Sequence, residues 1–317
     1  MVVTASRSRG NIGASPSIFE PISSYVLYYE NMGRIQHSWD LFKQSWAVLR
    51  QNPSLNIFPV VSSIVSLLVT ASFWAPVGLF LSQNKEANNL QALHYVLIFC
   101  GYVLSYFVVT FFNAALIHCA RVALSGGKPT VRDGLHAATG RIGAIFAWSL
   151  ISATVGTILQ FLNENAGLPG KIVAGLLGTG WNILTFFTVP VLVLEGRGSI
   201  DSVKGSWESI KRTWGPSLIG NAGLGLATGL LMLVPIPIVI ASFFSQSTPV
   251  IVSAIVLCII YWVVLATVSA TLSGIFKTAA YLFATTGQAP AAYSARYVQQ
   301  AFLPKPEGKI KNFYNRG

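Results

Sequence analysis

Five polar side chains lie inside long apolar runs of the sequence, where polar groups are rare and therefore informative. Ionisable residues in such runs commonly pair with one another or line the path of a ligand or an ion. The five residues are Asn113, His118, Arg121, Glu195 and Lys277. Two hypotheses follow from these residue types. Either Glu195 pairs with Arg121 or Lys277 and fastens helices together, or the five residues line a polar pocket for an anionic group.

Catalytic and metal chemistry have few suitable residues in this chain. No nucleophile is spaced with a base for catalysis, and neither an H-E-x-x-H nor a D-x-D motif is present. The histidines are His37, His94, His118 and His136. His94 and His118 would lie about 36 Å apart on one helix, too far to share a haem. We therefore predict that the protein is not an enzyme and has no catalytic residue, metal site or cofactor.

The composition of the 317-residue chain places it in a membrane. Hydrophobic residues make up 53% of the chain and charged residues only 10%, whereas a soluble domain has about 25% charged residues. The mean hydropathy is +0.59, so nearly all of the chain must be embedded. The formal net charge of +11 then reports the side of the membrane that holds the basic residues, and we expect no nucleic-acid partner.

Six apolar segments are each long enough to cross a bilayer core as a helix, which takes about 20 residues. They cover residues 55–81, 90–124, 142–162, 168–194, 216–244 and 249–285. The sequence therefore predicts an all-α integral membrane protein with six transmembrane helices.

Prolines and glycines mark where these helices should bend or approach one another closely. Pro190, Pro235 and Pro237 are predicted to bend or end helices. Gly225 and Gly229 form a G-x-x-x-G pair, which predicts close packing of two helix backbones.

Basic residues are distributed unevenly between the two ends of the predicted helices. Of the 21 lysines and arginines, only Lys85 and Lys171 fall in loops on one side, and the others lie on the opposite side or in the tails. Because loops rich in positive charge stay in the cytoplasm, both termini and the larger loops are predicted to be cytoplasmic.

A repeated segment precedes two of the predicted transmembrane hairpins. SWDLFKQSW at 38–46 recurs as SWESIKRTW at 206–214. Apolar residues in both segments are spaced by three and four positions, as in an amphipathic helix. The tryptophans of both segments are predicted to anchor the helices at the membrane interface, and they are Trp39, Trp46, Trp207 and Trp214.

A third segment with the same spacing fits between these two. Its apolar residues are Val131, Leu135, Ala138, Ile142 and Ile145. Thr130 and Asp133 are placed as a capping box at its start, and Ser199 is placed to cap the last amphipathic helix. The chain is therefore predicted to contain three parallel repeats, each a cytoplasmic amphipathic helix followed by a transmembrane hairpin.

This organisation divides the chain into three parts. Residues 1–33 are predicted to be a cytoplasmic, partly extended tail, residues 34–303 the six-helix membrane domain, and residues 304–317 a basic C-terminal tail. The repeats cover about 34–129, 130–198 and 199–290.

The segment RIQHSWDLFKQSWAVLRQNPSLNIFPVVSSIVSLLV resembles the opening of a family of bacterial six-span membrane proteins known only as a domain of unknown function. FFNAALIHCARVALSGGKPTVRDGL, ISATVGTIL and TVPVLVLEGRGSIDSVKGSWESIKRTWG are similar to later blocks of that family. The resemblance covers residues 34–290 and implies fold and topology, without an activity or a functional residue. In plan, the chain is also distantly similar to membrane domains attached to some glycerophosphodiesterases.

Two functions fit these patterns. The first is a non-catalytic membrane scaffold or accessory subunit of a larger assembly, whose basic cytoplasmic face contacts anionic lipid headgroups or other membrane protein subunits. The alternative is a transporter or lipid-handling protein with a cytoplasm-facing cavity between kinked helices. The family resemblance and the charge bias favour the bacterial inner membrane, and an organelle inner membrane is the alternative.

Overall fold

The computed structural model describes the backbone of residues 34–83, 91–165, 167–212, 228–245 and 247–288, together with Gly225, Pro290, Ala291 and Tyr293. Within these residues the chain is helical and has no strand, which confirms the predicted all-α class. The predicted tails, Trp214 and the side chain of Trp39 lie outside the described part.

The described helices follow one another along the chain. In chain order they are α1 (Arg34–Gln51), α2 (Ile57–Gln83), α3 (Gln91–Leu124), α4 (Val131–Thr139), α5 (Ile142–Asn165), α6 (Gly167–Leu184), α7 (Ser199–Arg212), α8 (Ile236–Phe243) and α9 (Thr248–Thr286). Between α6 and α7 lie a short helical turn (Thr188–Pro190) and a π turn (Val191–Glu195).

Five segments of the described chain are long and apolar enough to cross a membrane. They are Pro53–Leu79, Val96–Leu124, Ile142–Glu164, Gly167–Glu195 and Thr248–Thr286. The remaining predicted span, 216–244, is described only in part, as a shorter apolar helix over Thr228–Phe243. These helices indicate a membrane protein, and the six-span count stays a prediction.

The buried core lies at one end of the helices. It is formed by the last turns of α3, the segment 186–193, the last third of α9 and the parts of α1, α5 and α7 beside them. Leu124, Phe187 and Ile275 are fully buried there. We call this the core end of the molecule. The amphipathic helices α1, α4 and α7 all pack at the core end.

Toward the opposite end, the helices expose apolar side chains. Leu67, Leu168, Leu176 and Leu257 are examples from three of the spans. Lipid tails are as apolar as leucine side chains, so exposed apolar side chains are normal for a membrane protein. Tight side-chain packing is therefore concentrated at the core end.

Helix α4 begins with the predicted capping box, which is confirmed. The Thr130 hydroxyl accepts a hydrogen bond from the Asp133 N–H (3.2 Å), and the Asp133 carboxylate accepts one from the Thr130 N–H (3.0 Å). The hydrogen bonds from the Thr130 hydroxyl and N–H hold the pKa of the Asp133 carboxyl below its usual value. The start of α4 is thus fixed by two reciprocal bonds.

The next turn of α4 lies so close to α2 and α3 that it has no room for a side chain. A Cβ at Gly134 would lie 2.6 Å from Phe58 Cζ, 2.7 Å from Cys119 Sγ and 2.9 Å from the carbonyl oxygen of Ala115. This close approach holds the amphipathic helix directly on the spans.

The predicted helix from Val131 to Ile145 is wrong in its second half. Helix α4 ends at Thr139, and α5 begins at Ile142 after a short turn. The turn moves Ile142 off the buried face, and its side chain is 50% exposed. The change of direction places Arg141, in the turn, beside the segment that leads into α7.

The predicted close packing at the G-x-x-x-G pair is not found among the described residues. A Cβ on either Gly225 or Gly229 would meet no atom within 4 Å. The close approach occurs instead at Gly274 of α9, where a Cβ would lie 2.5 Å from Leu116 Cδ2 of α3. A second close approach lies toward the opposite end, where a Cβ at Gly101 of α3 would lie 2.7 Å from the Trp74 ring of α2.

The bend predicted at Pro235 is confirmed. A turn at residues 234–235 precedes α8, because proline has no N–H for the carbonyl four residues before it. That carbonyl, of Leu231, accepts a hydrogen bond from the Tyr261 hydroxyl (2.8 Å), and the Met232 carbonyl accepts one from Trp262 Nε1 (3.0 Å). Side chains of α9 thus supply donors at the bend.

Three helical segments end at a glycine in the left-handed conformation. The φ angles are +83° at Gly126, +72° at Gly196 and +69° at Gly287. Side chains disfavour this conformation, which makes glycine the usual residue at such helix ends. Helices α4 and α7 begin a few residues after the first two of these glycines.

Candidate functional site

The five predicted polar residues all lie toward the core end. Asn113, His118 and Arg121 are on α3, Glu195 ends the π turn, and Lys277 is on α9. Asn113, His118 and Lys277 are half-buried, and Arg121 is exposed. Among the described residues, no ion pair joins Glu195 to Arg121 or to Lys277.

Glu195 instead contacts two residues that the sequence patterns did not single out. The Tyr281 hydroxyl of α9 donates a hydrogen bond to Glu195 Oε1, and Arg197 Nε lies 2.5 Å from Glu195 Oε2. Both carboxylate oxygens are therefore bonded, and α9 is tied to the π turn. Single π turns within helical segments frequently occur at functional sites.

A second arginine reaches the same turn from the start of α5. Arg141 Nη1 donates a hydrogen bond to the carbonyl of Gly196 (3.1 Å). A Cβ at Gly196 would lie 2.6 Å from Arg141 Cζ, so only glycine leaves space for this guanidinium. Arg121 lies in the last turn of α3, which packs at the same core end. We call Arg121, Arg141 and Arg197 the arginine cluster.

Lys277 lies one helical turn before Tyr281 on the same face of α9. Its ammonium group is 5.1 Å from the centroid of the Phe186 ring, a cation–π contact. The Phe187 ring packs against Phe186 (4.8 Å between centroids) and against Tyr281 (5.7 Å). These aromatic contacts connect Lys277 to the arginine cluster. No acidic side chain of the described chain pairs with Lys277.

The helical break after α6 is held by a serine of α7. Ser206 Oγ donates a hydrogen bond to the Leu184 carbonyl (2.7 Å) and accepts one from the Phe187 N–H (3.0 Å). Both backbone groups lose their ordinary helical partners at the break. The Oγ1 atom of Thr188, in the next turn, is fully buried and has no hydrogen-bond partner among the described residues.

His118 lies one helical turn before Arg121 on α3, the helix against which the start of α4 packs. Within the described residues, no group of three or more histidines, cysteines or acids is placed to hold a metal ion. The side chains of His37 and His94 lie outside that part.

Helix α7 has three distinct faces. Serines form the buried face, and Ser199 belongs to it: its hydroxyl donates to the Ala144 carbonyl of α5 (2.8 Å), so the predicted capping role is wrong. An apolar flank carries Ile200 and Trp207, which are 65% and 38% exposed. The outer face is charged. It consists of Asp201, Lys204, Glu208 and Lys211.

Helix α1 repeats this arrangement in its described half. Ser45, Val48 and Leu49 are buried, whereas Trp46 beside them is 44% exposed. A tryptophan partly exposed on the flank of a helix suits a membrane interface, where one side of the ring meets lipid and the other meets polar groups. The exposure of Trp46 and Trp207 is consistent with the predicted anchoring role.

Sequence patterns missed Arg141, Arg197 and Tyr281 for an identifiable reason. Each lies in a segment in which a basic or phenolic side chain near a helix end is ordinary. The signal that was present is Gly196, which follows Glu195 at a helix end and is followed by Arg197. A glycine between two opposite charges indicates a turn that brings them together.

The chain belongs to a family of unknown function (DUF6159), whose model matches residues 92–291. This confirms the predicted membership of a family without an assigned function. The match begins with α3, so α1 and α2 precede it, although the sequence resemblance was drawn from residue 34. No curated protein matches the chain.

Proposed function

We propose that the protein is a non-catalytic membrane scaffold or accessory subunit of a larger membrane assembly, with a basic face that contacts anionic lipid or a partner subunit. The observation that carries this proposal is the three-faced form of α7. A helix with a buried face, an apolar flank and a charged outer face suits the plane of a membrane interface. Such a helix leaves its charged face free to meet headgroups or another protein.

The charge of the core end supports the same proposal. Exposed basic side chains at this end belong to α1, α3, α4, α7 and the turns between them. They are Lys43, Arg50, Arg121, Lys128, Arg132, Arg141, Arg197, Lys204 and Lys211. Basic residues near an anionic membrane surface each contribute about 1 kcal/mol of attraction. The described acids at this end are fewer, so the face keeps a net positive charge.

The proposal includes a finer organisation of six spans in three parallel repeats, with both termini in the cytoplasm of a bacterial inner membrane. Gly126, Gly196 and Gly287 support the repeats, because a left-handed glycine ends a helical segment near each proposed boundary. The common faces of α1 and α7 support them too. The position of the basic residues supports the orientation through the positive-inside rule.

Reversal of charge on the outer face of α7 tests the proposed contact. The full chain is extracted from membranes in mild detergent and examined by native mass spectrometry. We expect a stoichiometric subunit or retained anionic lipid with the wild type, and about tenfold less of it with Lys204→Glu combined with Lys211→Glu.

Lys171→Glu is the matched control, because Lys171 is an exposed lysine at the opposite end of the spans. It should leave the retained subunit or lipid unchanged. A wild-type protein that is a lipid-free monomer would contradict the proposal, as would equal losses in the double variant and the control. Thermal unfolding of each variant separates loss of contact from loss of fold.

A transporter or lipid-handling protein is the second candidate, favoured by one observation. Thr188 Oγ1 and the Lys277 ammonium are polar groups without a hydrogen-bonding or acidic partner among the described residues, and both lie near the break after α6. Unpaired polar groups beside a helix break are typical of a substrate path. Flux in proteoliposomes that Lys277→Gln abolishes, with the protein still folded, would favour this candidate.

A further inference from the structure

We propose that the arginine cluster and Lys277 form a specific site for one phosphate-bearing ligand, a lipid headgroup or a soluble phosphate ester. The inference rests on the proposed contact with anionic lipid and assigns it to particular residues. Arg197 and Arg141 contact the Glu195 turn directly, and Arg121 lies in the last turn of α3 at the same end of the molecule.

The proposed site contains more positive than negative charge. Arg121, Arg141, Arg197 and Lys277 carry four positive charges around one carboxylate, Glu195. That carboxylate is already bonded on both oxygens by Tyr281 and Arg197. Glu195 therefore positions the site and leaves most of its positive charge uncompensated. Lys277 is half-buried without a counter-charge, which is costly, and a bound anion would remove that cost.

The guanidinium groups of Arg197 and Arg141 are held in place before a ligand arrives. Arg197 is held through Nε, and its two Nη groups remain for other acceptors. Arg141 is held through Nη1 on the Gly196 carbonyl. Guanidinium groups fixed in this way lose little freedom on binding, and their planar forks match two phosphate oxygens. Flexible surface lysines offer neither property.

The positions of Arg121 and Lys277 along their helices also bear on the kind of ligand. Arg121 is in the last turn of α3, whereas Lys277 is one turn deeper in α9 than Tyr281. One turn of helix is about 5.4 Å. In the proposed orientation Lys277 lies on the apolar side of Tyr281, a position that suits a lipid better than a soluble ion.

The test is binding by the delipidated full chain, followed by native mass spectrometry and thermal unfolding. The probes are phosphatidylglycerol, phosphatidylcholine, glycerol 3-phosphate and inorganic phosphate. We expect one phosphatidylglycerol per chain, with affinity about tenfold weaker in Arg121→Gln and in Lys277→Gln. Lys171→Gln is the matched control, because Lys171 is exposed at the opposite end of the spans and its change should leave the affinity unaltered.

The soluble probes identify the source of the phosphate. Displacement of the lipid by glycerol 3-phosphate or inorganic phosphate at low concentration assigns the site to a soluble phosphate ester. Failure of both to compete, with phosphatidylglycerol bound more tightly than phosphatidylcholine, assigns it to an anionic lipid. The proposal is wrong if the wild type binds none of the probes, or if Lys171→Gln weakens binding as much as Lys277→Gln does.

The direction in which Lys277→Gln changes Tm distinguishes a ligand site from a structural one. Lys277→Gln removes an uncompensated charge, so the variant without lipid should unfold at a temperature equal to or higher than the wild type. It should also lose the rise in Tm that phosphatidylglycerol gives the wild type. A structural Lys277 would instead lower Tm in both conditions. If phosphate binding fails while the α7 charge reversal still releases a partner, only the present inference is wrong.

Discussion

Ser206 shows how one small side chain can hold two helical segments in a membrane protein. Its hydroxyl both donates to the Leu184 carbonyl and accepts from the Phe187 N–H, and its side chain is fully buried. A buried backbone group without a partner costs about 1–3 kcal/mol. No other side chain of the described residues bonds these two backbone groups.

We expect Ser206→Ala to lower the free energy of unfolding by about 1–3 kcal/mol, because it leaves a buried N–H and a buried carbonyl unpaired. Ser149→Ala is the matched control. Ser149 is equally buried, but its hydroxyl donates only to the Ile145 carbonyl one turn earlier in its own helix. Denaturation in mixed micelles measures both, and equal losses in the two variants would refute the special role of Ser206.

At this scale the sequence identifies types of residue better than their partners. The polar residues of the apolar runs do lie toward the core end, as expected from the cost of burying them elsewhere. The partner of Glu195 was not predictable, because Tyr281 is 86 residues away along the chain. Arg197 is close in sequence, yet it reaches Glu195 only because Gly196 adopts a left-handed turn.

The position of helix α4 depends on a glycine, Gly134, which has no side chain. Gly134 lies against a carbonyl oxygen of α3, which cannot move aside as the end of a side chain can. We expect Gly134→Ala to destabilise the protein by about 1–3 kcal/mol through overpacking.

Gly143→Ala is the comparison for this prediction. Gly143 is in the first turn of α5, and a Cβ there would meet no atom within 4 Å. Alanine at an open helical position is neutral or stabilising by about 0.5–1 kcal/mol. The free energy of unfolding should therefore fall in Gly134→Ala and stay unchanged or rise in Gly143→Ala. Equal behaviour would mean that α4 does not pack as described.

Elements were predicted best where a local rule decides them. The capping box at Thr130 and the bend at Pro235 depend on a few neighbouring residues, and both were confirmed. The helix across Val131–Ile145 was wrong, because helical periodicity continues by chance through the turn that separates α4 from α5. The packing at Gly274 depends on α3, so spacing along α9 alone does not reveal it.

For the whole molecule, the uneven distribution of basic residues predicts which end faces the cytoplasm. We expect single cysteines at Lys171 and Lys204, in a background without Cys100, Cys119 and Cys258, to react with a membrane-impermeant maleimide from opposite sides. Lys204 should react in inside-out vesicles and Lys171 in intact cells. The physical reason is the cost of moving a densely basic layer across the membrane.

A chain labelled at both positions from the same side would contradict this topology. Detergent-solubilised protein is the control, because both cysteines should then react. Lys171 and Lys204 are suitable positions, since both side chains are exposed in the described structure.

The concentration of packing at the core end has a mechanical consequence. Helix α9 has 39 residues and is about 58 Å long, almost twice the thickness of a hydrocarbon core. Its last third packs against the neighbouring helices, whereas many apolar side chains of its first half are exposed. A helix held at one end transmits force from its other end. We therefore expect changes in bilayer thickness or lateral pressure at the opposite end to exert a torque on the core end. The Glu195 turn lies at the core end and is bonded to α9 through Tyr281.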